Sequence, residues 1–205
     1  MTATPTDPPQ RFRPLLSVAL AGAIVLAWCI TALLLDQPIW MSQRSRLLLE
    51  IAAANGELGA HSQWWRLVTS QFLHVHGLHM LFNAACVALI GGALERRHGP
   101  ATVALVAMVG GTLGQLASVL AYPQLVSSGA SQALMALCAA ALVLPAGRAG
   151  RSLALAVVAI QAGLDLYVAH TIKAGHGFGF LAGAVVALAL ALAGRRRGTP
   201  QARLG

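Results

Sequence analysis

The chain has 205 residues, of which 57% are hydrophobic and only 10% charged, with a mean hydropathy of +0.70. A soluble domain of this length carries about a quarter of its residues as charges, so the composition excludes one and points to an integral membrane protein. The net charge of +8 does not indicate nucleic acid, because the basic residues are scattered between apolar runs with no stacking aromatics among them.

A helix needs roughly 20 residues to cross about 30 Å of hydrocarbon. Apolar runs of that order predict six spans, at 15–35, 77–94, 101–122, 131–146, 152–169 and 177–194. The Pro- and Thr-rich residues 1–14 are expected to be disordered, 15–194 to form the membrane domain and 195–205 a basic tail. The first run follows Arg-Phe-Arg-Pro but is longer than the apolar core of a signal peptide, and no small-x-small cleavage site follows it, so it is read as a retained span.

Between the first two spans lies a long loop, Asp36 to His76. Its stretches RLLLEIAAANGE (46–57) and WWRLVTSQFL (64–73) are amphipathic and too short to cross. They suit the membrane interface, with Trp40, Trp64 and Trp65 at headgroup depth. An even number of spans puts both termini on one side. Arg11, Arg13, Arg96, Arg97, Arg148, Arg151, Arg195, Arg196, Arg197 and Arg203 share that side, against Arg44, Arg46, Arg66 and Lys173 on the other. The positive-inside rule makes the first side cytoplasmic and the long loop external.

Polar side chains inside spans are costly and therefore informative. His79 and Asn83, at i and i+4, share one face of span two, as an interhelical hydrogen-bonding pair or as two donors aimed into one space. His74, His76 and His79 are close in sequence, but lack the HExxH arrangement and a nearby Cys, Asp or Glu to complete a shell, so they are not read as a metal site. Cys29, Cys86 and Cys138 fall in apolar runs without paired spacing and read as packing residues.

Span four is short, about 17 residues or roughly 25 Å from Ser131 to the Pro145-Ala-Gly-Arg148 break. With its foot at the cytoplasmic face, its head lies below the external one, and the preceding PQLVSSG segment must dip where protein buries it or water reaches it. Ser131 then stands at a helix N-terminus, which can stabilise an oxyanion, while Gly129 allows close backbone approach. The ordinary reading of Gly-Ala-Ser, an N-cap and a packing triplet, stays open on these residues alone. Span six opens GHGFGFLAG, with His176, Gly179 and Gly183 on one face; Gly179 and Gly183 permit close approach of another helix, and His176 is a candidate base for Ser131. Asp165, two to three turns below the external end of span five by this count, fits His176 poorly in depth; it is read chiefly as a structural or proton-handling residue, with a triad orienter as the lesser alternative.

These motifs in this order resemble the rhomboid intramembrane serine proteases: WWR in the long loop, HVHGLHMLFN entering span two, GGALERRHG leaving it, GASQALMAL heading span four and AGHGFGFLAG entering span six. The resemblance runs from about Trp64 to Gly183 and implies an all-α, six-helix membrane bundle. It implies Ser131 as nucleophile and His176 as general base of a dyad without an acid, with His79, Asn83 and the Ser131 N–H as oxyanion donors. Trp65 and Arg66 become a structural pair of the loop, and Gly179 and Gly183 the contact between spans four and six. The implied partners are the bilayer and substrate transmembrane segments with helix-destabilising residues, with no cofactor. Two positions depart from the family pattern: Gln132 replaces a glycine after the serine, and Met135 stands where some bacterial members place a tyrosine against the base. They favour a rival reading, a non-catalytic relative that binds client helices; a small transporter using Asp165 and His170 is a third.

Overall fold

The computed structural model describes residues 13–57 and 61–198. The expectations for most of residues 1–14 and for the end of the basic tail therefore lie outside the described residues. Eight helical elements are used below: α1 (Leu15–Leu34), α2 (Ser45–Ile51), α3 (Arg66–Thr69), α4 (Gly77–His98), α5 (Pro100–Ala121), α6 (Ser131–Val143), α7 (Gly147–Ala169) and α8 (Ala174–Gly198). Five of them, α1, α4, α5, α7 and α8, are long and apolar enough to cross a membrane, and α6 is the shorter sixth. The fold is all-α and the protein is an integral, multi-pass membrane protein.

The short helix is the centre of the bundle. Every residue of α6 from Ser131 to Ala141 is buried, whereas α1 and α8 turn Leu33, Leu34, Leu181 and Val185 outward. A helix apolar on all sides belongs inside such a ring. Close packing follows from glycine. A Cβ added to Gly179 would lie 2.6 Å from the Gln132 carbonyl oxygen, and one on Gly110 would lie 2.2 Å from Ala136 Cβ, so α8 and α5 both touch the α6 backbone almost directly.

Helix α6 ends at Val143, with Leu144 extended, three residues before the predicted end. Gly147, at φ +77°, then starts α7 five residues earlier than expected. The chain can turn there because glycine adopts positive φ without strain. The Arg97 guanidinium fills the space beside Gly147 and donates to the Ala146 carbonyl, which ties this turn to the end of α4.

At that same end of the bundle, buried Glu95 caps α1. One carboxylate oxygen accepts the Leu16 N–H at 2.9 Å; the other accepts the Ser17 N–H at 2.8 Å and the Ser17 hydroxyl at 2.6 Å. Open amides at a helix N-terminus favour an anion, and here they would otherwise face apolar surroundings.

At the opposite end the long loop folds back on the bundle. Arg66 is buried and donates to the carbonyls of Leu49 and Ala53 and to Gln63, while its guanidinium lies 4.7 Å above the Trp65 ring. It thereby ties α3 to the end of α2. Trp40, Trp64 and Trp65 remain exposed, as residues at headgroup depth should be.

Candidate active site

The residues before α6 are extended chain, and their polar backbone needs partners. Ser127 exchanges both backbone hydrogen bonds with Ala54 of the long loop, and the Gly129 N–H donates to the Ser70 carbonyl at 2.9 Å. Gln115 of α5, fully buried, donates to the Gly129 carbonyl at 3.1 Å and accepts from the Ser127 hydroxyl. The expected dip of this segment is thus covered by protein on the long-loop and α5 sides.

His74 holds the last link. Its Nε2 accepts the Ala130 N–H at 3.2 Å, and its Nδ1 lies 3.3 Å from the Phe72 carbonyl, which defines the Nδ1–H tautomer. Burial, reinforced by neighbouring His79, pushes its pKa down to about 3, so the ring stays neutral and can accept. Gly129 has φ +117°, and a Cβ there would meet the His79 ring at 3.3 Å and the His74 ring at 3.7 Å. Glycine is favoured for its conformation, and a side chain would also crowd the His79 ring.

Ser131, the first residue of α6, is 3% exposed, and its Oγ lies 2.9 Å from His176 Nε2 in the first turn of α8. The two residues predicted to meet do so. They open on a cavity of about 550 Å³ whose wall also includes His79, Tyr122, Asp165 and Lys173. His79 therefore faces the space in front of the serine. Asn83 is fully buried one turn deeper; its Nδ2 donates to the His79 carbonyl at 2.7 Å, and it is not part of the cavity wall.

Gln132 is accommodated by glycines on two neighbouring helices. Its Cβ and Cγ occupy the space in which a Cβ on Gly114 would sit, and Gly175 leaves further room beside them. Its Oε1 accepts from the Ser131 hydroxyl at 3.2 Å. Met135 is buried in α6 and does not reach the cavity wall.

Asp165 corrects the sequence reading. Its Oδ2 lies 2.7 Å from His176 Nδ1, and the carboxylate is 1% exposed. Helix α7 ends at Ala169, so Asp165 stands about one turn from its end, with His170 in the left-handed region closing the helix. Because α8 starts at Ala174, His176 comes level with it across a short turn. Gln115 and His74 were not singled out as site residues from the sequence. The only signal for Gln115 was a carboxamide within an apolar span.

A polytopic bundle with a serine and a histidine hydrogen-bonded beneath one end defines the class, a multi-pass membrane protein with a buried serine–histidine pair. The Rhomboid domain pattern matches residues 61–193, and the chain belongs to the rhomboid family. It is 29% identical over 157 residues to rhomboid protease GluP of Bacillus subtilis, covering 74% of this chain and 31% of that protein. It is 40% identical over 91 residues to RHOMBOID-like protein 7 of Arabidopsis thaliana, covering 44% of this chain and 29% of that protein. A third relative, putative rhomboid protease YdcA of Bacillus subtilis, is 38% identical over 79 residues, covering 38% of this chain and 40% of that protein. The matched segments thus span well under half the length of each of these relatives.

Proposed function

We propose that this protein is an intramembrane serine endopeptidase that cleaves transmembrane segments of other proteins, with Ser131 as nucleophile and His176 as general base. The observation that carries the reading is the 2.9 Å contact between Ser131 Oγ and His176 Nε2 at the head of a buried helix, facing a cavity. A base must lie within hydrogen-bond reach of the proton it takes, and this one does.

A substrate helix unwinds at small or helix-breaking residues and presents a carbonyl to Ser131. As the Ser131 Oγ–C bond forms, the hydroxyl proton passes to His176 Nε2. The oxyanion is met by the Ser131 N–H at the helix start and by His79 in the cavity wall, with Asn83, whose Nδ2 also donates to the His79 backbone carbonyl, as the further donor that the family resemblance implies. His176 then protonates the leaving amine as the C–N bond breaks, and water hydrolyses the acyl-enzyme by the reverse proton path. No cofactor or nucleic acid takes part. From the arginine asymmetry, the proposed setting is a bacterial inner membrane with both termini cytoplasmic and the cavity toward the external side.

Purified protein should cleave a labelled transmembrane substrate and react with a fluorophosphonate, and both activities should vanish in Ser131→Ala and His176→Ala. His79→Ala should slow cleavage by about 10²- to 10³-fold, the usual effect of losing one oxyanion donor. Undiminished cleavage by Ser131→Ala would overturn the reading. One contact favours the rival, a client-binding relative without activity: the Ser131 hydroxyl donates to Gln132 rather than standing free. That reading expects client helices to co-purify equally well with Ser131→Ala.

A further inference from the structure

The serine–histidine pair leaves one feature of the cavity wall without a task, the Asp165 carboxylate. It lies on α7, whereas Ser131 and His176 lie on α6 and α8. Its Oδ2 is 2.7 Å from His176 Nδ1 and 3.1 Å from the Lys173 backbone N–H, and its Oδ1 accepts from Gln161 Nε2 at 3.2 Å. An ionised carboxylate can only accept, and all three partners can donate. A buried charge is tolerated when it is paired and hydrogen-bonded in this way.

We propose that Asp165 is the positioning residue of a serine–histidine–aspartate triad in this protein, fixing His176 with its proton on Nδ1 and steadying the imidazolium formed during catalysis. This rests on the reading of Ser131 as nucleophile. A neutral imidazole carries one N–H. With that proton held on Nδ1 by Asp165, Nε2 is bare and faces Ser131 Oγ at 2.9 Å, ready to accept. The alternative tautomer would put the proton on Nε2, where it blocks the transfer.

In acylation the Ser131 proton moves to Nε2 while the Nδ1 proton stays between the ring and Asp165. The Nε2 proton then leaves with the amine, and Asp165 ends as it began. The carboxylate thus supplies from α7 the hold on the ring that Met135, absent from the cavity wall, does not supply from α6. The same assignment acts on Gln132. A hydroxyl has one proton, so when Ser131 donates to His176 it cannot also donate to Gln132 Oε1. The amide then turns its NH₂ toward Ser131 Oγ, an exchange of O and N positions that leaves the side-chain shape unchanged.

The test compares full-length wild type with Asp165→Asn, Asp165→Glu and Ser131→Ala, reading kcat and KM for cleavage separately and fluorophosphonate labelling. The other titratable groups of the cavity, His79 of α4, Tyr122 after α5 and Lys173 before α8, are the same in every variant. Asp165→Asn keeps the shape but favours the wrong tautomer. It should lower kcat by about 10²- to 10⁴-fold with KM within about threefold. A fall in kcat with KM held is the split that a merely structural role would not produce. Asp165→Glu should recover part of the rate.

Activity of Asp165→Asn within about threefold of wild type, while Ser131→Ala is dead, would overturn the triad and leave the proposed protease standing. A wild type that neither cleaves nor labels would overturn both. Should Asp165→Asn fail to fold, the ¹⁵N-histidine spectrum of the wild type decides. His176, identified by its loss in His176→Ala, must show a protonated Nδ1 and an unprotonated Nε2, and the opposite tautomer overturns the proposal.

Discussion

Gly183 of α8 lies so close to Ala136 of α6 that a Cβ on the glycine would stand 2.4 Å from both the Ala136 Cα and its carbonyl oxygen. The obstacle is backbone, which cannot swing aside as the tip of a side chain can. Ser131 and His176 lie at the head of this same contact, so the distance between the two helices sets the distance between these two hydrogen-bonded side chains.

Gly183→Ala must push α8 away from α6, and overpacking of this kind costs about 1–3 kcal/mol. Thermal unfolding in detergent should shift down by several degrees, and fluorophosphonate labelling should fall at least about tenfold because a misplaced base loses rate steeply. Gly194→Ala is the control on the same helix. It meets nothing within 4 Å and should be neutral or gain about 0.5–1 kcal/mol.

Gln115→Leu preserves bulk but removes the donor to the Gly129 carbonyl and the acceptor for the Ser127 hydroxyl. Leaving such groups unsatisfied costs about 1–3 kcal/mol. The backbone that delivers Ser131 loosens, so labelling should slow while circular dichroism still reports a helical protein. An unchanged labelling rate would show that Ala54 and His74 suffice to hold the segment.

Glu95→Ala removes the acceptor for three donors at the start of α1. Charge-assisted bonds are worth more than neutral ones, and the expected loss is about 2–4 kcal/mol. Glu95→Gln keeps one acceptor oxygen but loses the charge at the helix N-terminus, so it should fall between wild type and Glu95→Ala in a denaturation series. Equal stability of all three would refute the capping role.

The pKa of His74, pushed down to about 3 by burial, gives a pH dependence with a definite sign. The unfolded chain binds a proton near the ordinary value of 6.5, and the folded chain does not until about 3. The stability is therefore fully present above about 6.5 and is lost as pH falls toward 3, by up to roughly tenfold in the folding constant per pH unit. His74→Gln should flatten that part of the stability curve. An identical acid dependence in the variant would show that other groups dominate it.

Much of this architecture was legible in the sequence because the bilayer restricts what a polar residue can do. Ser131 and His176 could be paired from the shortness of one apolar run and from two glycines spaced four apart on another. Gly179 and Gly183 pack where that spacing put them, against Gln132 and Ala136. Arg66, for which only the family resemblance implied a structural role, donates to the carbonyls of Leu49 and Ala53.

What the sequence hid were relationships that depend on where helices stop. Asp165 was set too deep because its distance from the end of its span was overcounted, and a one-turn difference separates a remote carboxylate from one hydrogen-bonded to His176. Gln132 departs from the family glycine, and the spaces that accommodate it belong to Gly114 on α5 and Gly175 on α8, which no local pattern connects to it. His74 belonged to a visible histidine cluster, but its task is set by Ala130, 56 positions away.

The Glu95 cap on α1 also imposes an order of events in time. The Leu16 amide meets its acceptor only across 79 positions of chain. A ribosome feeding this protein into a membrane releases the first span well before the end of the second exists, and for that interval the leading turn of α1 must borrow water or headgroups for its open amides. Arrival of Glu95 releases those borrowed partners. The cap of the first span is therefore complete only once Glu95, near the end of the second, is in place.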